Sequence, residues 1–157
     1  MFKKKPKNFI LDVDGVLTTG IQGYSEKGKI IKFFGPHDHD GLKLLKDKIK
    51  ISFITADKKG YKISKKRIVD DMGFDLKLVS EHDRFSYIDS KYAKKDVVYM
   101  GDGIYDAEII QKSLFGIAPN NAREEAKKVA DYVTKSNSGE GAVLDASLKI
   151  LKLFFKK

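Results

Sequence analysis

Two carboxylates raise the first chemical question in this chain. In "NFILDVDGVLTTG" (8–20) an apolar run passes straight into Asp12, Val13, Asp14 and Gly15. On an extended chain, residues two apart project to the same side, so the acids share one face where a strand ends. Two further apolar runs end in related groups: "ISFITAD" (51–57) delivers Thr55 and Asp57, and "DVVYMGDGIYD" (96–106) delivers Asp102 and Asp106. Converging carboxylates, with no cysteine and only three histidines, describe a seat for a hard, oxygen-seeking cation, most simply Mg²⁺. Mg²⁺ commonly completes its shell with phosphate oxygens, so phosphoryl chemistry is the expected use. One of the first two acids can attack phosphorus to give an aspartyl-phosphate, while the other protonates the leaving oxygen and later activates water. Thr55 can donate its hydroxyl and N–H to the phosphoryl oxygens.

The elements that must position these groups follow from apolar periodicity and from Gly, Asp and Asn punctuation. "NFILDV" (8–13), "ISFIT" (51–55), "DVVYMGDG" (96–103) and "LFGIA" (114–118) read as buried strands, with "LKLV" and "DYVT" as weaker ones. Residues 21–34, alternating around Gly23 and Gly28, read as a two-stranded hairpin. Helical spacing covers 40–48, 61–73 (stopped by Gly73), 83–93, 105–113, 122–130 and 141–155. Strands and helices alternate almost throughout, which predicts an α/β fold: a Rossmann-like parallel sheet with helices on both faces. In such sheets the site lies beyond the carboxyl ends of the strands, where the acids fall.

Composition narrows the rest. A chain of 157 residues fits one domain, and no window approaches the roughly 18 apolar residues of a membrane span. The start "MFKKKPKNFI" lacks a long apolar core and a small-residue cleavage site, so it does not read as a secretory signal, and a cytoplasmic location is expected. Net charge is +9, but only Arg67, Arg84 and Arg123 carry the guanidinium suited to reading nucleic acid, so solvated surface lysines are the expectation and neither nucleic acid nor membrane is the expected partner. The C-terminal apolar stripe reads as a docked helix, and Asp70 and Asp71 as solvated.

"DVDGVLT", "FIT" and "GDGIYD", in that order and spacing, resemble motifs of the haloacid dehalogenase (HAD) superfamily, whose main members are Mg²⁺-dependent phosphatases. The short insert between Thr18 and Asp40 and the segment "DYVTKSNSGEGAVLD" (131–145) resemble its capless subgroup, typified by 3-deoxy-D-manno-octulosonate 8-phosphate phosphatase. The resemblance implies a HAD-type fold spanning 1–157, with a β-hairpin insert at about 19–34 and no separate cap domain. It also implies a homotetramer built through the hairpin, and a phosphorylated sugar acid as substrate in surface-polysaccharide synthesis. Asp12 would be the nucleophile, Asp14 the acid/base and Thr55 the phosphate clamp. Asp12, the Asp14 backbone carbonyl and Asp102 would hold Mg²⁺, with Asp106 in support.

Three departures from that pattern matter. The family's catalytic Lys is matched here by Arg84, with Lys58 or Lys59 as substitutes from the loop after Thr55. The usual Gly-Arg after the motif Thr is replaced by "ADKKG", in which Asp57 reads as a helix cap. "GPHDHDG" (35–41) stands where the subgroup carries an Arg-Asp-Gly segment facing substrate, which makes His37 and Asp38 candidate substrate contacts. Against that, Asp38 or Asp40 can cap the next helix, and His37 with His39 can pair on a metal. A catalytically weak module that supports assembly or a sugar-activating cytidylyltransferase is the alternative function. A phospho-receiver would share the sheet, the acids and the Thr, but it places its acceptor acid after a central strand and has no counterpart of "GDGIYD".

Overall fold

The computed structural model describes residues 4–156; the first three residues of the stretch read against a secretory signal lie outside the described residues. The elements run β1 (Asn8–Asp12), β2 (Thr18–Ser25), β3 (Gly28–Phe34), α1 (His37–Leu45), β4 (Lys50–Thr55), α2 (Tyr61–Lys65), β5 (Asp75–Leu78) and α3 (Glu81–Lys91). They continue as β6 (Val97–Met100), α4 (Ala107–Lys112), β7 (Phe115–Ala118), α5 (Glu124–Val129), β8 (Tyr132–Val133) and α6 (Ala142–Ile150). π-helical turns extend α2 through Asp71 and α6 through Phe155. Gly73 closes the first of these with φ 76°, a left-handed conformation open to glycine at little cost.

Six strands form one sheet in the order β5-β4-β1-β6-β7-β8, and every pair is parallel. Strand order reverses between β1 and β6, so the crevice beyond their carboxyl ends is where an open α/β sheet binds ligands. Alternation along β1 divides the core. Phe9 and Leu11 face a layer built with Leu42, Leu45, Ile68, Ala146 and Ile150, whereas Ile10 faces Ile88, Tyr99, Ile109 and Ala126. Both faces are buried, which explains why the central strands read as continuous apolar runs rather than as alternating ones. Among the described residues no helix is long and apolar enough to cross a membrane.

β2 and β3 pair only with each other, as an antiparallel hairpin with irregular register. Gly23 stands opposite Ile31 but Tyr24 stands opposite Lys29, so Ile30 is an extra residue in β3. The hairpin exposes Ile21, Tyr24, Ile30, Ile31 and Phe33 to solvent, a concentration of large apolar side chains on one small element.

The segment 35–41 corrects two expectations. α1 begins at His37, so Asp38 lies inside its first turn and does not cap it; the N-cap is Pro36, with no side-chain cap bond. Asp38 is instead fully buried, and its Oδ1 accepts from the N–H groups of Val143 (2.9 Å) and Leu144 (3.3 Å) at the start of α6. His37 and His39, two apart on a helix rather than on a strand, point to different sides, so the metal pair fails for geometric reasons. His39 makes an edge contact with Phe74.

Candidate active site

An open cleft of about 520 Å³ lies at the carboxyl edge of β1, β4 and β6. Its walls include Asp12, Asp14, Thr55, Arg84, Asp102 and Asp106, each from a different strand end, loop or helix start. After β1 the chain makes a tight turn in which Leu17 and Thr18 N–H bond back to Val13 C=O at 2.9 and 3.0 Å. Gly15 allows that turn with φ 85°, and a Cβ there would run into the Asp102 carboxylate. Thr55 is buried, and its Oγ1 accepts from the Asp57 N–H at 3.1 Å, which leaves the hydroxyl hydrogen to donate into the cleft.

Arg84 enters from the first turn of α3. Ser80 caps that helix by accepting from the Asp83 N–H at 3.2 Å, which fixes where Arg84 starts its reach. A cation near a helix N-terminus is unfavourable there, so it needs acidic partners. Arg84 Nη1 finds Asp106 Oδ1 at 2.8 Å and Asp12 Oδ1 at 3.1 Å, while its buried Nε has no hydrogen-bond partner. Burial opposes the charge on Arg84, yet Asp12, Tyr99 and Asp106 together hold it more firmly protonated than usual. Asp106 is saturated: the Tyr99 hydroxyl also donates to Oδ1 (2.5 Å), and the Asp102 and Gly103 N–H groups donate to Oδ2 at 3.1 and 2.9 Å.

Among the described residues, Asp12, Asp102 and Asp106 each place one carboxylate oxygen within 4.8 Å of the others. With Asp106 occupied, Asp12 and Asp102 are the open donors. Burial, above all, pushes the Asp12 carboxyl well above its usual range despite Arg84, and Asp106 and Asp102 add to that. Burial and then Asp106 push Asp102 up to about 7. Burial, and then the neighbouring carboxylates, favour the neutral forms of Asp12 and Asp102, and an all-oxygen donor set of this kind fits Mg²⁺. The Asp14 side chain is not in the group, so what remains of it for a metal is its backbone carbonyl.

Asp14 belongs to a second cluster that sequence reasoning missed. Its Oδ2 lies 2.8 Å from Lys32 Nζ, and Lys32 also reaches Asp57 Oδ2 at 2.8 Å. Lys29 pairs with the same Asp57 oxygen. Asp57 does hold the turn before α2, accepting from the Gly60 N–H at 3.0 Å, but its other oxygen serves the lysines. Burial would raise the Asp57 carboxyl, but the two lysines and the Gly60 N–H bring it down to about 2. Gln22, Glu81 and Tyr105 also line the cleft and carried no signal in the sequence. Lys58 and Lys59 stand exposed at its rim; His37 and Asp38 do not line it.

A sequence profile of haloacid dehalogenase-like hydrolases matches residues 87–146. The 3-deoxy-D-manno-octulosonate 8-phosphate phosphatase of Escherichia coli K12 is 30% identical, over 85% of this chain and 73% of the relative. The crystal structure of 3-deoxy-D-manno-octulosonate 8-phosphate phosphatase from Moraxella catarrhalis, in complex with magnesium ion, phosphate ion and KDO, aligns with TM-score 0.81 and 27% identity, covering 94% of this chain and 86% of that one. The cobalt-bound deoxy-D-mannose-octulosonate 8-phosphate phosphatase of Haemophilus influenzae aligns with TM-score 0.79 and 28% identity, covering 94% and 88%. With a parallel sheet whose strand ends carry the acids, and with relatives of this identity and coverage, the chain belongs to the haloacid dehalogenase superfamily of hydrolases, in the branch that includes 3-deoxy-D-manno-octulosonate 8-phosphate phosphatase.

Proposed function

We propose that the chain is a Mg²⁺-dependent phosphomonoester hydrolase acting on a phosphorylated sugar acid, of the 3-deoxy-D-manno-octulosonate 8-phosphate or acylneuraminate 9-phosphate kind, in cytoplasmic surface-polysaccharide synthesis. The observation that carries this reading is the group of Asp12, Asp102 and Asp106, the first and last of them buried, whose ligand atoms lie within 4.8 Å and which faces the Arg84 guanidinium in an open cleft. Asp12, Asp102 and the Asp14 carbonyl would hold Mg²⁺, which when bound supplies charge neutralisation and Lewis-acid polarisation of the phosphoryl group.

An Asp12 carboxylate oxygen bonds to phosphorus as the ester P–O bond breaks. The electron pair of that bond leaves with the sugar oxygen, which takes a proton from Asp14. Water then loses a proton to Asp14 and attacks phosphorus, so the acyl-phosphate bond breaks and Asp12 is restored with inorganic phosphate released. Thr55 orients the phosphoryl oxygens, and Arg84 holds Asp12 in its attacking position. The Lys58 and Lys59 side chains at the rim suit the carboxylate of a sugar acid.

The exposed apolar residues of the hairpin support assembly into a homotetramer through that element. The reach of Arg84 to Asp12, 3.1 Å, favours an active enzyme over the weak-module alternative, in which the site would only assist a cytidylyltransferase. A phosphate-release screen over sugar phosphates, with Mg²⁺ and with chelator, tests the reading. Turnover that needs the metal is expected; turnover that ignores it, or none on any sugar phosphate, would sink it.

A further inference from the structure

The hairpin carries a buried lysine against the acid/base carboxylate, and the chemistry above gives it no task. Lys32 Nζ lies 2.8 Å from Asp14 Oδ2, 2.8 Å from Asp57 Oδ2 and 2.9 Å from Ser64 Oγ. An ammonium has three protons, so all of them are committed and the group cannot swivel. The other Asp14 oxygen accepts from Thr18 Oγ1 at 3.4 Å, at the first residue of β2. Both side-chain contacts on Asp14 therefore come from the two strands of the hairpin, whereas Asp12, two residues earlier, is held by α3.

The approach of the lysine is built into the surrounding chain. A Cβ on Gly60 would run first into Asp57 Oδ2 and would fall 2.7 Å from Lys32 Cε and 2.8 Å from Lys29 Cδ, closer than side chains pack. Gly60 has φ −95°, which any residue adopts, so the glycine serves space rather than backbone conformation. The extra residue at Ile30 does the rest. Positions 29 and 32 would face opposite sides of a regular strand, and the bulge turns both toward Asp57.

From this geometry we infer that Lys32 is a positioning residue for proton transfer: through it the hairpin fixes the Asp14 carboxylate in the orientation that serves the leaving oxygen. The inference rests on the phosphatase reading. Its signature is a dependence on the leaving group. Departure of a sugar alkoxide needs the Asp14 proton and departure of p-nitrophenolate does not, so disorder at Asp14 slows formation of the aspartyl-phosphate from the first and spares it from the second, while hydrolysis of that common intermediate slows alike for both.

The test compares wild type, Lys32→Met and Gly60→Ala on the preferred sugar phosphate and on p-nitrophenyl phosphate, with thermal unfolding of each variant. For Lys32→Met, kcat/KM, which reports the steps up to departure of the leaving group, is expected to fall about 10- to 100-fold on the sugar phosphate and less than about threefold on p-nitrophenyl phosphate. Gly60→Ala keeps every charge but displaces the Asp57 carboxylate and the lysine stems that meet it, and should show the same asymmetry at smaller size; it decides the matter if Lys32→Met does not fold. Equal losses of kcat/KM on both substrates in a folded variant, a change in KM alone, or no loss would overturn the inference and leave Lys32 as a structural tie. A wild type that hydrolyses neither compound would overturn the phosphatase reading itself, and this inference with it.

Discussion

The cleft has two charged walls with opposite balances. On the sheet side three carboxylates, Asp12, Asp102 and Asp106, answer to Arg84. On the hairpin side two carboxylates, Asp14 and Asp57, meet two ammonium groups, Lys29 and Lys32. The carboxyl groups respond in opposite directions: Asp102 rises to about 7 and Asp57 drops to about 2. The first wall is short of positive charge and is therefore the place for a divalent cation; the second is already neutral and holds parts in position. Chemistry and alignment are thus supplied by separate ion clusters, joined through the short link from Asp12 to Asp14.

The sharpest way to break the contrast is to remove the nucleophile. Asp12→Asn should cut turnover by about 10⁴-fold while leaving the hairpin-side ion pairs intact, measured as phosphate release beside a thermal melt. Removing the lone cation of the sheet wall comes next. Arg84→Met leaves buried acids without their partner and should lower stability by about 3 kcal/mol in chelator, read from urea unfolding, with much of the loss recovered on adding Mg²⁺.

The two walls should also differ in pH response. Asp102 titrates near 7 when folded against an ordinary 3.8, so between about pH 4 and 7 the native state binds more protons than the unfolded chain. Its contribution to metal-free stability is therefore lost as pH rises through that window. Saturating Mg²⁺ should flatten that slope, which melts at pH 4.5 and 7.5 with chelator and with metal would show. Asp57 has the opposite sign: its folded value of about 2 lies below 3.8, so its contribution is present above about pH 4 and is lost as pH falls toward 2. Asp57 has a side chain only 16% exposed, against the buried Lys29 and Lys32, so Asp57→Asn should cost about 2 kcal/mol at pH 7, the smallest of these effects, and should flatten the acid limb of the stability profile.

What the sequence revealed follows the same division. Asp12, Thr55 and Asp102 were legible because a parallel sheet exposes its chemistry at strand ends, and those ends can be found from apolar runs. Arg84 was legible by its place at the start of a helix, although its double contact with Asp12 and Asp106 needed coordinates. Lys29 and Lys32 were not, because a period of two puts them on opposite faces and the bulge at Ile30 is invisible in "GKIIKFF". Tyr99 read simply as part of an apolar strand; its hydroxyl gains meaning only from Asp106, seven residues on. Asp38 was misplaced because capping was argued locally, while its donors lie on the last helix.

That last contact also sets an order of assembly. Asp38 meets the Val143 N–H 105 residues later, and α1 packs chiefly against α6. A chain emerging from the ribosome makes Leu42 and Leu45 early and their covering helix late, so one face of the sheet stays greasy and unshielded through most of synthesis. Closure of that long loop comes at the end, when α6 arrives and its first amides find the waiting carboxylate.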